Sequence, residues 1–123
     1  MLTVKGKIVF SGGAPESIPN NSTLTVKFQD TNRMDAPAIN LGTCVKSIQG
    51  YKKGTDLSFE IVNAKKPDFG MDGSISAVLN IGWVPSGDEW VRQGDYLNDT
   101  HHTVRMEDYK TVYNCQVEVI HYN

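Results

Sequence analysis

A chain of 123 residues is one domain's length, and twelve basic against fourteen acidic side chains leave it close to neutral. The charges are interspersed, with no basic stripe for nucleic acid or an anionic membrane, and no run approaches the roughly 20 apolar residues of a membrane span. A hydrophobic fraction of 39% suits a core wrapped in polar outer faces.

Alternation dominates from the start. Leu2, Val4, Ile8 and Phe10 share one parity and predict a first strand over 2–10, with Gly6 marking a bulge or a close backbone crossing. Residues 11–22 are rich in Gly, Pro and Asn and read as a loop. Leu24, Val26 and Phe28 then alternate with Thr25, Lys27 and Gln29, predicting a strand over 23–30 that ends in the polar run from Asp30. Pro37 disfavours helix at Ala36 and restarts an extended chain over 38–47. Within it Cys44 falls on the opposite parity from Ile39 and Leu41, which predicts a bulge at Gly42. Leu57, Phe59 and Ile61 predict a strand over 56–62, and Ile75, Ala77, Leu79, Ile81 and Trp83 one over 74–84. Further strands are expected over 96–105 and 111–122, the last with Tyr113, Cys115, Val117 and Val119 on one face. No segment supports a helix longer than two turns. Seven or eight short strands at this spacing predict an all-β fold, a single antiparallel β-sandwich domain spanning 1–123.

The stretch LTVKFQDTNRMDAPA, Leu24 to Ala38, resembles the signature of the YbaY-like family, which includes the YscW-type pilotins of bacterial type III secretion. There a strand L-x-V-x-L is followed by D-x-S-R-x-D-A-P-A. DLSFEIV at 56–62 resembles the family's P-I-x-F-E-I element, and YLNDTHHTV at 96–104 its F-I-N-D-T-x-x-x-V segment. The resemblance implies a small β-sandwich and carries no catalytic motif. This chain departs from it in lacking a lipidation cysteine near the start and in a longer loop from Ile81 to Tyr96, with both tryptophans at its edges.

The chemistry-bearing residues point away from catalysis. Asp30 and Asp35 are expected to hold Arg33 and cap turn amides, with anion binding as the alternative. Asn98, Asp99 and Thr100 suit a tight strand start or a bulge. His101 and His102 are adjacent, hence on opposite faces of a strand, and with His121 they make no convergent metal site. No nucleophile sits in a hydrolase context and no glycine loop precedes a helix, so neither enzyme nor metal centre is expected.

Cys44 and Cys115 make an even pair, for which a disulfide is expected; it would close a loop of about seventy residues and contribute about 4 kcal/mol in the chain-entropy model. Two free thiols are the alternative. Asn20, Asn21 and Asn98 head Asn-x-Ser/Thr sequons and are glycosylation candidates. With the cysteines they favour a secreted chain whose signal peptide is gone over a cytosolic one.

Aromatic side chains are the remaining signal. Ile81, Trp83, Trp90, Tyr96 and His102 are the candidate binding surface, if their rings do more than lid the fold. The leading expectation is a non-catalytic module for a small apolar ligand (lipid, pigment or carotenoid), non-covalently held and in one version sandwiched in a homodimer. The alternative is a pilotin- or chaperone-like module docking a protein segment.

Overall fold

In the computed structural model, residues 2–32, 37–67, 71–98, 102–107 and 109–122 are described. Eight strands occur: β1 Leu2–Phe10, β2 Ser22–Asp30, β3 Ile39–Ile48, β4 Leu57–Ala64, β5 Gly73–Asn80, β6 Tyr96–Leu97, β7 His102–Val104 and β8 Val112–His121. Among the described residues there is no helix. The strands follow the order β3-β2-β5-β6-β8-β1-β4, with β7 on β5 beyond β6. The two ends of this path approach each other, and Lys65 N donates to Leu41 O at 2.9 Å across the seam between β4 and β3. The all-β expectation holds, with the sheet nearly closed and barrel-like; the expected two-layered sandwich is not confirmed. Every strand has one buried face in either architecture, so alternation alone cannot tell them apart.

The antiparallel expectation also needs one correction. β8 runs parallel to β1, with Thr3 to Phe10 in register with Val112 to Val119. A parallel pair needs a long crossover, and here everything between the two terminal strands supplies it.

The alternating residues fill the barrel. Leu2, Val4, Leu24, Val26, Phe28, Ile61, Ile75, Ala77, Leu79, Val117 and Val119 are almost wholly buried. Gly6 is the close crossing anticipated: a Cβ there would collide with the carbonyl of Cys115 on β8. The expected bulge also occurs, since Phe28 pairs with Gly42 and Gln29 with Asn40, leaving Leu41 as the extra residue. At Gly42 a Cβ would lie 2.6 Å from Ile61 Cγ2 and 3.2 Å from Ala64 Cβ, so the missing side chain lets β3 and β4 meet.

The strand predicted over 74–84 ends early. β5 stops at Asn80 because Gly82 turns the chain with φ of 80°, taking Trp83 out of the inward row. Within the strand expected over 96–105, the described residues form β6 and β7, and residues 99–101 lie outside them.

The cysteines are free, correcting the expected disulfide between Cys44 and Cys115. Cys44 lies on β3 opposite Val26, and Cys115 on β8 opposite Gly6. Around the barrel β4 and β1 stand between β3 and β8. Three strand spacings of about 4.8 Å exceed the roughly 7 Å that a disulfide spans between Cα atoms.

Candidate functional site

The long loop after β5 is held by one carboxylate. Asp95 is buried, and its Oδ1 accepts from Ile81 N at 2.8 Å. Its Oδ2 accepts from Arg92 N at 2.8 Å and Asn80 Nδ2 at 3.0 Å, and the Trp83 indole N–H reaches both oxygens at 3.2 and 3.0 Å. The Arg92 guanidinium lies over the Trp83 ring, 3.9 Å from its centroid. Both ends of the loop are thereby tied to one point. Asp95 was not singled out from sequence; the only trace of it there is a Gly-Asp pair just before a strand.

Tied down at its base, the loop folds over the outer face of β2 and β5. Its tip is a tight turn, with Ser86 bridged to Glu89 and Gly87 at φ of 62°. Beneath it lies an open cleft of about 600 Å³. The floor is the outward row of both strands: Thr25, Lys27 and Gln29 from β2, Ser76, Val78 and Asn80 from β5. Pro85, Ser86, Glu89 and Trp90 form the overhang, and Trp90 is 57% exposed. Glu89 is held by Arg92 through two bonds of 2.8 and 2.7 Å, which keep its carboxyl below the usual range.

A second hollow, of about 580 Å³, opens along the seam. Near Leu41 the strands β3 and β4 are joined by a backbone bond, and farther along the Lys46 ammonium crosses, donating to Ser58 O at 3.2 Å. Cys44, Val45 and Lys46 of β3 face Ser58, Phe59 and Glu60 of β4 across this gap. Val45 and Val62 stand 66% and 59% exposed on these two strands.

Ile81, Trp83, Trp90, Tyr96 and His102, expected to form one surface, lie on the loop after β5 and on β6 and β7. Trp90 overhangs the outer cleft, whereas Ile81 and Trp83 line a small hollow of about 190 Å³ beside Arg92 and Asp95. Tyr96 packs edge-on against Phe10, centroids 5.0 Å apart, and lies 4.9 Å from the His121 ring. His102 sits on β7 opposite Ile75.

Of the residues expected to be structural, Asp30 is buried and its Oδ1 accepts from Asn32 N at 3.0 Å and Asn32 Nδ2 at 2.7 Å, the turn-capping role. Asn98 mimics a strand: its Oδ1 accepts from Ala77 N and its Nδ2 donates to Ile75 O, both at 2.8 Å. Arg33, Asp35, Asp99, Thr100 and His101 lie outside the described residues. Among the sequons, Asn20 accepts from Gly50 N at 3.0 Å and Asn21 donates to Gly82 O at 2.8 Å, both at the surface.

No family model matches this chain, and no curated protein matches it. One solved structure with the same fold is that of an alternative pilotin from the type II secretion system of Vibrio cholerae. It is 20% identical, with a TM-score of 0.64, and the match covers 96% of this chain and 94% of that one. The fold is thus pilotin-like.

Proposed function

We propose that this protein is a non-catalytic docking module that takes an extended segment of a partner protein into the open part of the β3–β4 seam. The observation that carries this reading is the pair of strand edges facing each other across a gap bridged by a lysine side chain instead of a backbone ladder. Unpaired edges are templates for strand addition, which supplies backbone hydrogen bonds on both sides of an inserted segment. Val45 and Val62 give such a segment apolar contacts beside the edges. The solved neighbour's being a pilotin supports protein docking over carriage of an apolar ligand. Membership of the YbaY-like family and action outside the cytoplasm go with this reading.

The test is selection of peptides from a random library on the purified protein, followed by amide exchange of the complex. Bound peptides are expected to protect backbone amides within 43–47 and 58–62. Val45→Asp and Val62→Asp should each weaken binding roughly ten-fold, as residues at the centre of an interface do. Peptides that protect a different surface, or that ignore both substitutions, would show the seam is not the site.

A further inference from the structure

We propose that the cleft over the outer face of β2 and β5 is a second, independent binding site, and that its ligand is a neutral saccharide. The first observation is an orphaned acceptor. Asn80 is wholly buried at the base of the cleft, and its Oδ1 has no hydrogen-bond partner. The orientation of this amide is set by its other end, because Nδ2 donates both to Trp90 O at 2.9 Å and to Asp95 Oδ2 at 3.0 Å. Those two partners accept only, so the nitrogen must face them and the carbonyl must face away. A buried acceptor left alone is costly, and a hydroxyl or amide N–H from a ligand would satisfy it. Asn80 lines the cleft together with Pro85, Ser86, Glu89 and Trp90 of the overhanging loop.

The second observation is the composition of the walls, which decides the ligand class. β2 is already paired on both sides, with β3 and β5, so no strand can be added there. Recognition in the cleft must use side chains. Those available are two amides, Gln29 and Asn80, hydroxyls from Thr25, Ser76 and Ser86, and one half-exposed indole, Trp90. An apolar ligand would strand these polar groups out of water. An anionic one would meet a single cation, Lys27, with Glu89 nearby. A sugar ring presents an apolar C–H face for the indole and hydroxyls at its rim for the amides and hydroxyls, and it carries no charge.

The test is a solution NMR titration of the intact protein with chitotriose, cellotriose and maltotriose. At least one should shift the Trp90 indole N–H and the amides of Ser76, Val78 and Ser86 saturably, while the Trp83 indole N–H stays in place. Trp90→Ala should weaken that binding roughly ten-fold or more. The ring is half exposed, so the melting temperature should hold and loss of binding cannot be ascribed to unfolding. The proposal is overturned if none of the three sugars moves these signals, if Trp90→Ala leaves the affinity unchanged, or if the seam-binding peptides shift the cleft signals instead.

Discussion

Asp95 gathers polar contacts from both ends of the loop after β5. Four donors from three segments converge on it: the Asn80 amide, the Ile81 and Arg92 backbone N–H groups, and the Trp83 indole. Hydrogen bonds to a charged acceptor contribute more than neutral ones, and donors left without it would be buried unsatisfied. Asp95→Ala is therefore expected to destabilise the protein by roughly 3 kcal/mol or more in urea unfolding. It should also change the emission of Trp83, whose ring would lose its fixed place under Arg92. Asp95→Asn should cost less, because one oxygen still accepts. An Asp95→Ala variant with unchanged stability would mean that the loop is held elsewhere.

Asn98 performs at the level of an element what Asp95 does at the level of a group. Just after β6, the Asn98 side chain takes over the ladder by bonding Ala77 N and Ile75 O. Its own backbone N–H donates to Ala77 O at 3.2 Å, so three bonds hold Asn98 to β5. Asn98→Ala removes the two side-chain bonds and should cost about 2 kcal/mol, visible as faster exchange of the Ala77 amide before any global opening. The same two bonds argue against glycosylation there, since the amide nitrogen is already committed inside the sheet. Asp30 and Asn98 thus both serve the turn chemistry that short polar side chains advertise, whereas Gly82, at φ of 80°, turns the chain aside before Trp83.

Across the whole molecule the free cysteines are the clearest consequence of the barrel. Intact mass should reveal two alkylatable thiols after unfolding without reductant, and reductant should leave the melting temperature unchanged. Burial pushes the Cys115 thiol up from its ordinary value of 9.0. A raised folded-state value means the folded protein holds the proton longer. The associated stability is fully present below the unfolded thiol's range and is lost as pH climbs through the folded one. Cys115→Ala should flatten the alkaline limb of a melting-temperature profile relative to the native chain, and identical limbs would contradict this.

Much of the fold was legible in the sequence. Period-2 alternation located most of the strands and their buried faces, and Gly6 and the parity change before Cys44 announced a crossing and a bulge. Those features are local: steric demands and the amphipathic period act within a few residues of one another. Sheet closure, the parallel pairing of β1 with β8 and the separation of the cysteines depend on which strand lies beside which, and the alternating pattern is the same for every neighbour. The candidate sites belong to that second kind. The outer cleft exists because Asp95 folds a loop back over a finished sheet, and the seam opens because β3 and β4, consecutive in the chain but at opposite ends of the strand path, meet at Gly42 and then diverge. Only the tertiary structure decides such things, because each depends on contacts between segments whose separation along the chain leaves no periodic trace.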